Sequence, residues 1–453
     1  MRNSACWGRR LNESLSERPI PQLVEDRLGT RARVYGEESA VLVALLTPDA
    51  SDVDEEAVFD ELTALAETAG VNVLATVTQR RTSPHPATFI GRGKANELRV
   101  AADEVAADAV IFDDELRPAQ ARNLEELLGR KVIDRNQLIM DIFAQRARSK
   151  EARLQVELAQ LRYLLPRLRG WGMALTRTGG GIGTRGPGET QLELDRYKVR
   201  RRVHSLERRL VAAEKERSLR RKKRQRSDVP QVALVGYTNS GKSTLLNVLC
   251  RADAAVEDKL FATLDTRVRR GLIASGRVAT FVDTVGFIRR LPHQLIPAFA
   301  ATLEAAATAD LILHVIDRSR VDWESEYEAV LSTLEHEVFE RSDERPPILN
   351  VLNKVDALDD GSPLDGVEGV PISALQNRGI DRLRETMGRV LFADERVYVV
   401  VVPFRAVGAF YAQVGRERAT DVTHLETGLR ARLSLSEAEV RVLRRIGATV
   451  SSA

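Results

Sequence analysis

The chain is poor in several things, and each shortage closes off a class of protein. Its two cysteines, Cys6 and Cys250, lie far apart and in no metal-ligand spacing, which suggests no zinc site and reads as a reduced, intracellular chain. No apolar run approaches the ~18 residues a membrane span needs, and the Arg-containing start, Met1 to Arg10, lacks the apolar core of a signal peptide. A cytoplasmic protein without a membrane span is therefore expected. Net charge is also scarce: 68 basic against 65 acidic side chains leave +3, so any attraction to a polyanion must come from local clustering. A hydrophobic content of 43% over 453 residues can supply the cores of about three domains.

What the chain does have is centred on Gly236-Tyr237-Thr238-Asn239-Ser240-Gly241-Lys242-Ser243. This stretch follows the apolar run Val232 to Val235 and precedes a helical pattern through Leu245, Leu246 and Leu249. Two glycines at this spacing let backbone N–H groups point inward at phosphate oxygens. Lys242 adds a full positive charge and Ser243 offers a hydroxyl to Mg2+. The competing reading is a plain Gly/Ser turn between strand and helix.

Four further segments follow in the order a GTPase needs. Asp283-Thr284-Val285-Gly286 ends the apolar strand Val278 to Val282, where the carboxylate can hold Mg2+ through water and the Gly286 amide can meet the γ-phosphate. Phe261-Ala262-Thr263-Leu264-Asp265 falls in the long connection after the first helix. There the Thr263 hydroxyl can close on Mg2+ only while the γ-phosphate is present, which makes the segment a switch. Asn353-Lys354-Val355-Asp356 follows the strand Ile348 to Leu352, and a carboxylate there accepts two N–H bonds from guanine that adenine cannot supply. Ser373-Ala374-Leu375 would steady the guanine carbonyl through a backbone N–H. GTP and GDP are the expected ligands, with Lys242, Thr263 and Gly286 at the chemistry and Ser243 and Thr263 on the metal. After Gly286, where many GTPases carry the glutamine that orients water, stands Phe287, so slow intrinsic hydrolysis is expected. Asn239 leaves two readings open, a contact to K+ beside the phosphates or a residue that only shapes the loop. His293 lies near this switch and reads as a surface histidine.

Residues 1–38 mix Arg, Glu, Pro and Ser without periodicity and read as a loosely ordered extension. From 39 to 135 short strands and helices alternate, the pattern of a small parallel α/β layer. Within it Gly91-Arg92-Gly93-Lys94 opens a helix and reads as a tight turn ahead of a phosphate contact, and Asp113-Asp114-Glu115 as a solvated turn ahead of a metal site.

Residues 136–228 turn helical. Gln137 to Leu165 carries a seam of Leu154, Leu158, Leu161 and Leu165, and a second helix one of Val199, Val203, Leu206, Leu210 and Ala213. The simplest burial is an antiparallel hairpin. Between the helices, Trp171 with Arg169, Arg177 and Arg185 is interleaved with a run of glycines from Gly179, which leaves a flexible tip and an RNA contact loop equally open. From Arg196 to Arg226 fifteen basic residues face only Glu207, Glu214 and Glu216, an imbalance beyond what helix solubility requires and suited to a nucleic-acid backbone.

With Gly-Gly-Ile-Gly-Thr-Arg-Gly-Pro-Gly-Glu from Gly180, Phe-Ala-Thr-Leu-Asp from Phe261 and Asp-Thr-Val-Gly-Phe from Asp283, the chain resembles the HflX family of translational GTPases from about Val41 to Leu391. Thr78 to Arg81, Phe112 to Leu116, Leu158 to Leu161 and Leu164 to Gly170 are family-like too. After Asp265 it departs, with Thr266-Arg267-Val268 where the family carries Pro-Thr and a small residue. The resemblance implies a bacterial cytoplasmic GTPase of the large ribosomal subunit that splits stalled or idle ribosomes, its hairpin loop reaching toward the peptidyl-transferase region and the ribosome stimulating hydrolysis. The expected fold is α/β: a P-loop GTPase domain at 229–392, preceded by a small parallel α/β domain with a helical hairpin and followed by a small α/β appendage at 393–453. A monomer is expected. The competing function is a nucleotide-switched module that docks a non-ribosomal protein.

Overall fold

The structure is a computed structural model that describes residues 38–47, 55–168, 187–224, 229–251, 260–261, 267–274, 277–290, 295, 303–341, 345–358, 366–415 and 418–452. The glycine-rich segment with Trp171, Arg169, Arg177 and Arg185, the switch residues Ala262 to Asp265, and His293 lie outside these residues. The chain divides into two compact units: the first takes Met1–Arg221 with Lys259–Leu264 and Leu291–Ala298, and the second takes the remainder.

The first unit opens with β1 (Ser39–Leu46), α1 (Glu55–Ala69), β2 (Asn72–Arg80), α2 (Arg92–Glu104), β3 (Ala109–Phe112), α3 (Pro118–Leu128) and β4 (Lys131–Asp134). The strands form an all-parallel sheet in the order β2-β1-β3-β4. The two inner strands, β1 and β3, are almost uninterrupted Val, Leu, Ile, Ala and Phe because helices cover both faces, whereas edge strand β2 alternates. Gly91 precedes α2, and its N–H donates to Gln79 Oε1 at 2.8 Å, so a side chain already occupies this helix start and the turn reading is supported. Asp113 is not in a solvated turn. It is buried and accepts from Arg135 at 2.6 Å, while the same guanidinium reaches Glu61 at 2.8 Å; a cation from the end of the neighbouring strand replaces water as the partner.

The helical stretch after Gln137 is two helices, α4 (Arg135–Arg146) and α5 (Lys150–Arg167). Asp134 and Ser149 each cap one by accepting a backbone N–H, and both caps divide what periodicity alone runs together. Opposite α5 lies α6 (Pro187–Arg224). Leu154, Leu158, Leu161, Leu164 and Leu168 share one core with Val199, Val203 and Leu206, and Leu165 and Leu210 are only partly buried. Arg202 pairs with Glu157 at 2.6 Å, and five residues further along each helix Glu207 pairs with Arg162 at 2.8 Å. Both ion pairs lie on the flanks of this seam, so the two helices bury each other's apolar stripe and brace it with charge. A cavity of about 410 Å³ lies among α3, β4, α4 and α5, lined by Leu116, Met140, Asp141, Gln160 and Tyr163 among others. Burial holds Asp141 up at about 7, with one long hydrogen bond from Gln160 and the nearby Lys131 opposing the shift.

The second unit carries β5 (Gln231–Val235), α7 (Lys242–Cys250), β6 (Arg267–Leu272), β7 (Val278–Asp283), β8 (Leu311–Asp317), α8 (Trp323–Glu337), β9 (Ile348–Asn353), β10 (Val370–Pro371) and α9 (Ile380–Leu391). Its sheet runs β10-β9-β8-β5-β7-β6, parallel except for β6. β8 is buried along its whole length at the centre. The carboxyl ends of β5, β7, β8 and β9 therefore converge on one edge, where ligands bind in open α/β sheets. After it come β11 (Arg396–Pro403), α10 (Val407–Val414), β12 (Thr420–Leu425), β13 (Gly428–Leu435), α11 (Glu437–Arg445) and β14 (Thr449–Ser452), an antiparallel sheet in the order β12-β13-β11-β14. Arg277, at the turn between β6 and β7, stacks on Phe392, makes a bidentate pair with Glu395 and donates to the Ser434 carbonyl of β13.

Candidate nucleotide site

The phosphate loop leaves β5 at Gly236, whose φ is +154°; a Cβ there would stand 2.3 Å from the Val315 carbonyl oxygen of β8. At the other end Gly241 has φ +92°, and a Cβ would stand 2.2 Å from Asn353 Nδ2. Both positions thus require glycine, for backbone angle and for space. Lys242 is buried, and its Nζ donates to the carbonyls of Gly236 at 3.0 Å and Tyr237 at 2.5 Å, which lays the ammonium under the loop. Burial pulls it down to about 8, with Asp283 and Glu326 pulling the other way. Thr238 Oγ1 and Ser240 Oγ are buried without a hydrogen-bond partner among the described residues. Asn239 is exposed at the tip with φ +61°.

Ser243 Oγ donates to Asp283 Oδ2 at 2.8 Å, so the first turn of α7 and the end of β7 bring a hydroxyl and a carboxylate together. These are hard oxygen donors of the kind Mg2+ takes. Thr284 turns its hydroxyl away, to the Leu234 carbonyl at 2.6 Å, and Val285 is buried. Gly286 lies against the loop: a Cβ there would be 2.8 Å from Thr238 Cα. Phe287 is buried and paired with the phosphate loop, its N–H donating to Gly236 O at 3.1 Å and its carbonyl accepting from Thr238 N at 2.8 Å. Its apolar ring has no group that could hold a water. Of the switch stretch Phe261 to Asp265, only Phe261 is described; it is buried edge-on against Phe143 with ring centroids 4.7 Å apart.

On the base side Asn353 joins two loops, as donor to the Ser240 carbonyl at 2.8 Å and as acceptor from Ala374 N at 3.0 Å. Lys354 has φ +62° and pairs with Asp317 at 2.8 Å. Val355 N–H donates to Ile372 O, which seats the short helical turn that presents Asp356. Asp356 Oδ1 is buried with no donor among the described residues, an acceptor waiting for a ligand N–H. Ser373 is fully buried and caps its turn by accepting from Gln376 N at 3.0 Å, Ala374 is buried, and Leu375 is 81% exposed beside them.

Several contacts around the site were not read from the sequence. Asp317 at the end of β8 anchors Lys354, and its only signal is its place after a buried apolar strand. The Tyr237 hydroxyl accepts from Arg289 N at 2.8 Å, while the Arg289 side chain pairs with Asp322 at 2.8 Å, tying the stretch after Gly286 to both the phosphate loop and α8. His314 stacks on Tyr327 with ring centroids 5.1 Å apart, and burial holds it down to about 3, so it is neutral.

On α6, Lys198, Arg200, Arg201, Arg208, Arg209 and Lys215 are exposed. Among the described residues no helix is long and apolar enough to cross a membrane.

Three families match in sequence: "GTP-binding GTPase N-terminal" over residues 56–144, "GTP-binding GTPase Middle Region" over 146–224 and "50S ribosome-binding GTPase" over 231–354. The chain is 48% identical over 367 residues to the GTPase HflX of Caldanaerobacter subterraneus subsp. tengcongensis, covering 81% of this chain and 84% of the relative. It is 45% identical over 377 residues to the GTPase HflX of Escherichia coli, covering 81% and 86%. A solved GTP-binding protein from Sulfolobus solfataricus in complex with GDP is 27% identical and covers 78% of this chain and 98% of that one, with a TM-score of 0.42. Similarity of this extent, over about four fifths of the chain, places it in the HflX family of GTPases.

Proposed function

We propose that this protein hydrolyses GTP with Mg2+ while bound to the large ribosomal subunit, and that its GTP state splits or rescues stalled or idle ribosomes in the cytoplasm. The observation that supports the reading most is the gathering of Lys242, Ser243, Asp283, Asn353 and Asp356 at one edge of the sheet, in hydrogen-bonding geometry that suits a guanine nucleotide. The exposed basic face of α6 adds a polyanion contact. Lys242 neutralises charge on the β- and γ-phosphates, the Gly286 N–H meets the γ-phosphate, and Asp356 and Ala374 N read the base. Ser243 and, by sequence, Thr263 would hold Mg2+, which would supply positive charge against the phosphates. Asn239 would be the contact for K+ if hydrolysis proves to depend on that ion, and otherwise shapes the loop. Phe287 supplies no water-orienting group, so the subunit or another residue must position the nucleophile.

GTP turnover with and without purified large subunits, in potassium and then sodium buffer, tests this reading. Strong stimulation by subunits is the expected result, together with release of subunits from intact ribosomes in sucrose gradients only when GTP is present. Turnover indifferent to subunits would move the function to a switch module for a non-ribosomal protein.

A further inference from the structure

The domain that closes the chain falls outside the three matched families, and one face of its sheet is uncovered. The other face carries Val400, Val402, Leu429, Ala431, Leu433, Leu435 and Val450 and is buried under Phe410 and Val414 of α10 and Val440 and Leu443 of α11. Strand alternation puts the residues between them on the open face. Register then lines them up in two rows across the sheet. One reads Thr423, Arg430, Val401, Thr449; the next reads Thr420, Arg432, Val399, Ser451. Each row is hydroxyl, guanidinium, valine, hydroxyl.

Arg430 and Arg432 are exposed, and neither has an acidic partner among the described residues. No acid stands in either row; Asp421 sits in the irregularity between Thr420 and Thr423, and Glu426 in the hairpin turn. Residues two apart on one strand are spaced by roughly 6.8 Å along the backbone, comparable with the step between neighbouring phosphates along one nucleic-acid strand. Thr420 and Ser451 donate their hydroxyls to the Arg432 and Val399 carbonyls, which leaves Thr423 and Thr449, at the two ends of the Arg430 row, to donate to phosphate or sugar oxygens, and the valines offer apolar surface to the sugars.

We infer that this open face is an RNA-binding surface, on which a single stretch of RNA backbone runs along β13 with successive phosphates on Arg430 and Arg432. The partner is RNA because a row of donors with no acceptor acid suits a continuous line of negative charge. An acidic peptide would engage the same arginines without needing the Thr423 and Thr449 hydroxyls. The inference deepens the ribosomal reading by adding a face separate from α6. Arg277 fastens this sheet to the turn between β6 and β7, so RNA held here is held by the body that carries the nucleotide site.

The test is fluorescence anisotropy of the full-length, GDP-loaded protein with a short fluorescein-labelled RNA stem-loop, titrated across KCl concentrations. R430A/R432A is expected to lower the slope of log affinity against log salt by about 2, and R430K/R432K to retain the parent slope. Both side chains are exposed, and an unchanged melting curve and GDP affinity confirm an intact fold. An unchanged slope in R430A/R432A overturns the inference. So does a loss of polyglutamate binding with RNA binding intact, which would assign the face to an acidic protein. R208A/R209A on α6 is measured alongside. A slope change there with none in R430A/R432A sinks this inference and leaves the ribosomal reading standing, and the reverse leaves this one standing alone.

Discussion

Asn353 holds two loops with one amide: its Nδ2 donates to the Ser240 carbonyl at 2.8 Å, and its Oδ1 accepts from Ala374 N at 3.0 Å. The phosphate end and the base end of the site are thereby spaced by a single buried side chain. Asn353→Ala leaves a buried carbonyl and a buried N–H unpaired, at about 1–3 kcal/mol each. GTP and GDP affinity should fall together, with a lower melting temperature in the nucleotide-free protein. Equal affinities in N353A and parent, by titration calorimetry, would show that the spacing does not depend on this bridge.

Asp356 should decide the base. With Oδ1 buried and no donor supplied by the described residues, its carboxylate is free to accept the guanine N–H groups. Asp356→Asn presents a donor in place of an acceptor and should cost guanine nucleotides about 10- to 100-fold in affinity, the worth of a charge-assisted pair, while xanthine nucleotides gain. Competition binding of GDP against xanthosine diphosphate measures this directly, and an unshifted preference would remove Asp356 from the base site.

Gly286 has no room for a methyl group. A Cβ would press to 2.8 Å on the backbone Cα of Thr238 and 2.9 Å on its Cγ2, so one of the two segments must move. Gly286→Ala should leave GDP binding nearly intact and weaken a non-hydrolysable GTP analogue about tenfold, the loss of roughly one hydrogen bond to the γ-phosphate. Parallel losses for both nucleotides would mean the segment supports the loop and does not sense the third phosphate.

Asp141 makes stability depend on pH. Its folded value of about 7 lies above the ordinary 3.8, so the folded chain holds the proton more tightly than the unfolded chain. Its contribution is therefore full below about 3.8 and is lost as pH rises toward 7. Asp141→Asn copies the protonated form. The variant's melting temperature should exceed the parent's at pH 8, and the gap should close as pH falls toward 4. A gap of constant size across that range would show that Asp141 does not titrate late.

Much of the nucleotide site was legible in the chain because its parts are local. Gly236, Gly241, Lys242 and Ser243 act through backbone angle and reach within one turn, and Asp283 and Asp356 each follow an apolar strand that the pattern reveals. The charges that brace α5 against α6 were not legible: leucine spacing says that two seams meet, and only the structure pairs Arg202 with Glu157 and Arg162 with Glu207 beside them. Asp113 misled for a related reason: a run of acids after a strand reads as a wet turn until Arg135, 22 residues on, is seen beneath it.

The sequence by itself determined the chemistry of the nucleotide site and the order of its segments, since residue type and spacing along one strand–loop–helix unit are enough to specify a phosphate loop. The tertiary structure alone decided which distant groups complete it. Asn353 reaches Ser240 across 113 residues, Arg289 reaches Asp322 across 33, and the open Arg430 and Arg432 face exists only once β13 is paired on both sides. Such contacts depend on sheet register and strand order, and no local pattern encodes which carbonyl or carboxylate a side chain will meet after the chain has crossed the sheet.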